Sequence, residues 1–178
     1  MKRFIVVLLL GALIVNIAEG GVLKKNKVYK LIKEMDRLCK KTESLEELGW
    51  SVAFNRICME LKNLGAEAVP YMLEGVRDRT LNWKTRFTLV SMFPYQDLGK
   101  YDTLVVRELC RILEDKSEDS IIRSKIPVYA FAKMKEKRAI STLIKVMMDE
   151  SNPVIVRVKS AKFFVCLLYT SPSPRDRG

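Results

Sequence analysis

VPYMLEGVRD (residues 69–78), VRELCRILED (106–115) and ISTLIKVMMD (140–149) follow one pattern. Each stretch ends on an aspartate: Asp78, Asp115 and Asp149. Nine residues before the aspartate stand Val69, Val106 and Ile140; six before, Met72, Leu109 and Leu143. Five before stand Leu73, Cys110 and Ile144, and two before, Val76, Leu113 and Met147. Offsets of three, four and seven put these side chains on one face of a helix. The spacing predicts three amphipathic helices, each stopping at its aspartate.

Reading outward, an arginine follows each aspartate by eight residues: Arg86, Arg123 and Arg157. The aspartates are 37 and 34 residues apart. A unit is therefore a helix ending at Asp, a short loop, and a second helix carrying Arg. Recurrence at this period is the signature of stacked helical repeats. Leu64-Gly65-Ala66-Glu67-Ala68-Val69-Pro70 opens one such helix, with Pro70 in the first turn, where its missing N–H costs little. Asn152-Pro153 is expected to be an N-cap followed by Pro at the first helical position.

On these residues the segment 48–165 resembles the HEAT-repeat family of α-solenoids. The resemblance implies an all-α fold, a right-handed solenoid of antiparallel helix pairs. It also implies that Asp78, Asp115 and Asp149 pair with Arg86, Arg123 and Arg157 in a structural ladder between adjacent repeats. Partly exposed pairs of this kind contribute under about 1 kcal/mol each and set register more than stability. A ligand-binding row of arginines is the functional alternative.

The flanking stretches are also helical. Val28, Leu31, Ile32, Met35, Leu38 and Cys39 form an apolar stripe within an N-terminal capping region, residues 21–47. Ser44 and Glu47 read as a capping box opening the next helix, expected to bury Leu48, Val52, Ile57, Leu61 and Leu64. Pro94 and Gly99 bracket a loop, and Pro127 is expected to kink the helix that carries Arg123. No segment alternates as a strand does.

The two ends read differently from the body. Residues 1–20 have the form of a signal peptide: Lys2 and Arg3, an apolar run from Phe4 to Val15, then Ala18-Glu19-Gly20, with small Ala18 and Gly20 at the positions that signal peptidase reads. Cleavage before Gly21 and export to a periplasmic or extracellular space are expected. An uncleaved membrane anchor is the alternative, against which the run is shorter than the roughly 20 residues a spanning helix needs. At the other end, CLLYTSPSPRD (166–176) resembles the translation of a sequencing adapter used in transposase-based DNA libraries. Residues 166–178 are therefore expected to be a non-native, disordered tail, with the natural array continuing past Val165.

The chain carries +11, of which each end supplies +1, leaving +9 on the body. A basic balance favours anionic partners or simply solubility. Lys24, Lys25, Lys27, Lys30 and Lys33 crowd the first helix, and Lys133, Lys135, Lys137 and Arg138 a later turn. Solvated helix faces account for both clusters. A groove for anionic polymer is the alternative.

The sequence holds no histidine, so Ser/His/Asp and Cys/His nucleophile systems cannot be assembled. No glycine-rich phosphate loop occurs. Cys39, Cys58 and Cys110 form no C-x-x-C, and no cofactor or metal is expected. These cysteines read as buried thiols, although export would admit a Cys39–Cys58 disulfide. The expected function is that of an exported, non-enzymatic scaffold binding an unidentified protein or peptide. The alternative is a binder of anionic surfaces or polymers: lipid head groups or cell-wall polymer before nucleic acid. An enzyme of the HEAT-like lyase or glycosylase kind is the third reading.

Overall fold

The computed structural model describes residues 2–169, with side chains from 22 to 166. Among these residues the fold is all-α, with no strand. The first helix, α1 (Lys2–Lys41), runs without a break through position 20, where the signal peptide was expected to end. The side chains of residues 2–21 and 167–169, and residues 1 and 170–178 altogether, lie outside the described part. No helix of the described residues is long and apolar enough to cross a membrane.

Helices α2 (Leu45–Trp50) and α3 (Val52–Asn63) follow. The capping box forms, with the Glu47 N–H donating to Ser44 Oγ at 3.1 Å. Glu47 reaches back to the Glu43 N–H rather than to that of Ser44. The single helix expected here is split. Ser51 takes an extended conformation, ends α2, and caps α3 by accepting from the Phe54 N–H. The break re-phases the helix, so Val52 is solvent-exposed and Phe54 takes the inward place beside Ile57 and Leu61. Leu48 is buried as expected and Leu64 is half-buried.

Helix α4 (Val69–Arg77) pairs with α5 (Trp83–Met92), α6 (Asp102–Glu114) with α7 (Ser120–Lys125), and α9 (Ile140–Met148) with α10 (Val154–Tyr169). A π-helical turn, Ile126–Phe131, continues α7 into the short α8 (Ala132–Met134). It sits where Pro127 was expected to kink the helix. Pro127 has no N–H for the ladder, and its carbonyl accepts from Ala132, five residues on. Contacts run between neighbours: α1 on α4, α4 on α6, α6 on α9, and likewise α5 on α7 and α7 on α10. Helices α4 and α6 face this interior as their spacing requires, whereas in α9 only Leu143 of the four expected positions is buried, Ile140 and Met147 being half-buried and Ile144 exposed. Val69, Met72, Leu73 and Val76 are buried in α4, and Val106, Leu109 and Leu113 in α6.

Two expectations about the last helix change. Asn152 does not cap α10, because its side chain is engaged elsewhere; the first turn starts instead from the Pro153 carbonyl, which accepts from Val156 and Arg157. The helix also runs through Cys166 to Tyr169, into the tail expected to be disordered. Cys166, Leu167, Leu168 and Tyr169 contain no breaker. The first is Pro172, which turns only its immediate predecessor away from helical angles.

Gly75 lets three helices meet. A Cβ there would stand 2.8 Å from Leu89 Cδ1 on α5 and 3.2 Å from Ile32 Cδ1 on α1. Gly75→Val is therefore expected to lower unfolding free energy by about 1–3 kcal/mol, as overpacking does. Urea denaturation of both proteins measures it, and an unchanged midpoint would show that this close approach carries no weight.

Candidate functional site

Each anchor aspartate occupies the same local structure. Asp78, Asp115 and Asp149 are the C-caps of α4, α6 and α9, all extended, each donating its N–H to the carbonyl four residues back. Each side chain then folds over the following loop. Its Oδ1 accepts the N–H two residues on, at 2.9, 2.9 and 3.0 Å, and the hydroxyl of Thr80, Ser117 or Ser151 at 2.6 Å. Short polar side chains suit this turn because they offer the backbone a local acceptor. Its signal in the sequence is Asp followed two residues on by Ser or Thr, in all three units.

The three arginines also repeat one bond. Arg86 Nε donates to the Val76 carbonyl at 2.7 Å, Arg123 Nε to Leu113 at 2.9 Å, and Arg157 Nε to Met147 at 3.0 Å. Each carbonyl belongs to the last turn of a helix and has no partner within it. The guanidinium then reaches the next unit. Arg86 grips Glu118 through both terminal nitrogens at 3.0 and 2.6 Å, and Arg123 donates to Asn152 Oδ1 at 2.5 Å. Glu118 and Asn152 stand three residues after their own aspartates. Arg86, Arg123, Glu118 and Asn152 are all buried.

The ladder thus differs in its pairings from the expected one. Among the described residues no Asp of the set forms an ion pair with an Arg of the set. The aspartates accept a second series of cations, each one residue after the preceding anchor: Arg79 on Asp115 at 2.8 Å and Lys116 on Asp149 at 2.7 Å. The cause is geometric. Each arginine side chain is drawn inward to the helix-end carbonyl, while its own aspartate folds outward over the loop. Arg123 still lies in the field of Asp115 and Asp149, which opposes the lowering that burial imposes on its pKa.

The first rung uses other chemistry. Buried Lys84 donates to the Thr42 and Glu43 carbonyls just beyond the end of α1. Asp36 on α1 accepts the Asn82 N–H at 2.7 Å and the Thr85 hydroxyl at 3.0 Å.

Two surface grooves adjoin these rungs. One, of about 690 Å3, is lined by Asn26, Tyr29, Lys30, Lys33, Arg37 and Asp78 together with Glu34. Glu34 is paired with Arg56. Lys30, Lys33 and Arg37 have no ion-pair partner among the described residues. Glu74 accepts the Tyr29 hydroxyl and pushes that phenol up to about 12. The other, of about 260 Å3, has Arg77, Arg79 and Arg111 around buried Glu108 and Glu118. Arg77, Arg107 and Arg111 all converge on Glu108. Of the other clustered cations, Lys24 pairs with Glu67, Lys27 with Glu60, and Arg138 with Glu136 and Asp102, while Lys133, Lys135 and Lys137 have no ion-pair partner among the described residues.

Cys39 and Cys58 stand as free thiols, so the bond that export would admit is not formed here. Burial pushes the Cys58 thiol up to about 11, with the neighbouring Cys39 adding to it. Among the described residues no group of His, Cys, Asp and Glu could hold a metal ion. In comparisons with known proteins, no family model, no curated protein and no solved structure matches the chain.

Acid should weaken the rungs. Burial pushes the Glu118 carboxyl up, but Arg86, the Asp119 N–H and Arg79 outweigh it and leave it below its ordinary value. Asp149 is brought down to about 2, by Lys116 first and then Ser151. Both groups favour the folded state above their unfolded pKa values, and that contribution disappears as pH falls through the folded ones. Thermal stability is thus expected to be level near neutrality and to fall from about pH 5 downward. At neutral pH, Arg86→Leu should cost about 3–5 kcal/mol by leaving both Glu118 and the Val76 carbonyl without their donor, and adding Glu118→Leu should restore the part due to Glu118 alone. Equal losses in the single and double variants would show that Arg86 and Glu118 do not act as a pair.

Proposed function

We propose that the protein is an exported, non-enzymatic scaffold, a HEAT-like right-handed α-solenoid of antiparallel helix pairs that binds a protein or peptide partner. The observation carrying this reading is the threefold repetition of one bond: an arginine Nε on a carbonyl ten residues back, at 2.7, 2.9 and 3.0 Å. Repeated units joined only to their neighbours build extended surfaces rather than enclosed pockets, and such surfaces suit recognition. The assignment of a binding role rests on that architecture by analogy.

The groove along α1 supplies the partner-facing chemistry. Lys30, Lys33 and Arg37 line it beside Asn26 and Tyr29. These side chains offer hydrogen-bond donors and an aromatic edge to an extended acidic segment. Interfaces of this kind use charge to steer and orient a partner. Saturable capture of a protein from envelope extracts by the full chain, lost in the Lys30→Glu/Lys33→Glu/Arg37→Glu variant, is the expected result. Capture that is unchanged in the variant would remove the groove from the account.

The unpaired cations also favour a second reading, adhesion to an anionic surface or polymer. That reading predicts binding to vesicles containing acidic lipid, collapsing between about 50 mM and about 200 mM salt. Binding that is absent at low salt, or indifferent to salt, would eliminate it.

A further inference from the structure

The ladder has a third arginine whose outward reach is open. Arg157 makes the inner bond to the Met147 carbonyl, as Arg86 and Arg123 do to theirs. Its terminal nitrogens have no partner among the described residues, where those of Arg86 hold Glu118 and that of Arg123 holds Asn152. A guanidinium brought this close to an apolar surface is normally matched by a forked acceptor.

The surrounding surface is open in the same register. Phe87 and Ser124, one residue after their arginines, are 9% and 5% exposed, whereas Val158 in the equivalent place is 55% exposed. Phe87 is covered by the Tyr129 ring of the following unit at 4.8 Å. Val76 and Leu113 are fully buried, whereas Met147, at the same distance before its aspartate, is only half-buried. Val154, Ile155, Ile144 and Met148 are exposed nearby. Met147, Val154, Arg157, Val158 and Ala161 line a groove of about 320 Å3.

The composition of α10 points the same way. Its side chains are apolar on nearly every side, yet among the described residues the buried ones are Val156, Ser160 and Phe163 on one face. A helix apolar all round is normally covered all round. Helix α5, at the corresponding place in the first unit, is buried without interruption from Lys84 to Val90.

We propose that the outer face of α9 and α10 docks a further helix pair of the same repeat, whose loop presents a Glu or Asn side chain to Arg157. The occupant follows from continuity with the two interfaces already formed. The side chains that meet Arg86 and Arg123 are Glu118 and Asn152, each three residues past an Asp that ends a helix. The same carrier, placed one unit further, brings an acceptor to Arg157 and apolar residues to Val154 and Val158. This rests on the solenoid reading above.

The register permits a direct test. Arg123 and Arg157 are 34 residues apart, so Leu168 corresponds to Met134. The chain is extended after Leu168 by a second copy of residues 135–165, which carries a whole helix pair, and compared with the chain ending at Leu168. The extension is expected to add helical circular dichroism, to raise Tm by roughly 5 °C or more, and to lose that gain when either Arg157 or the appended copy's asparagine is replaced by alanine. An extension that stays unfolded, or a gain indifferent to Arg157, overturns the proposal. So does a parent protein that sediments as a dimer and becomes monomeric on Val158→Glu, since a second copy would then be the occupant. Coupling between Arg86 and Glu118 separates the two failures: if it holds while the extension fails, the docking proposal alone is lost.

Discussion

The structure depends on one bond made three times, from an arginine Nε to the carbonyl that a helix cannot satisfy within itself. Every helix leaves its last carbonyls without internal partners. In α4, α6 and α9 the following helix supplies the missing donor through Arg86, Arg123 and Arg157. The bond fixes the angle at which the second helix returns against the first. It also places a charged group in the interior, which is tolerable only if the rest of the guanidinium is matched. Glu118 and Asn152 match it, and both belong to the next unit. One side chain thus closes its own helix pair and fastens it to its neighbour.

The aspartates work on the outer side of the same loops. Asp78, Asp115 and Asp149 hold the loop by accepting a backbone N–H and a hydroxyl two residues on. Asp115 and Asp149 then accept Arg79 and Lys116 from the unit before. Two ladders therefore run side by side. The inner one is buried at Arg86 and Arg123, and at Arg86 the guanidinium grips Glu118 as a fork. The outer one is half-exposed, and screening by water and salt leaves it a smaller contribution.

Much of this could be read from the sequence. The periodicity of the apolar residues located α4, α6 and α9, and the recurring Asp and Arg located the rungs. The partners of Arg86 and Arg123 were not legible, because residues three past the aspartates are Leu81, Glu118 and Asn152, with no shared character. Pairing each Arg with its own Asp matched charges but ignored the stronger claim of an unpartnered carbonyl inside the fold. The split between α2 and α3 escaped for a similar reason: Ser51 interrupts an apolar spacing that otherwise looks continuous, and only its capping bond to Phe54 reveals the break. Asn152 before Pro153 had the form of a cap, and its side chain went to Arg123 instead.

Nearest-neighbour fastening has a consequence for how stability is distributed. A defect in one rung should loosen the units it joins and leave distant ones alone. Native-state amide hydrogen exchange on Arg123→Leu tests this directly, since that residue joins the unit of α6 and α7 to that of α9 and α10. Faster exchange concentrated in α6, α7, α9 and α10, with α1 and α3 protected as in the parent protein, is the predicted result. Exchange that accelerates equally in every helix would contradict a structure held together rung by rung.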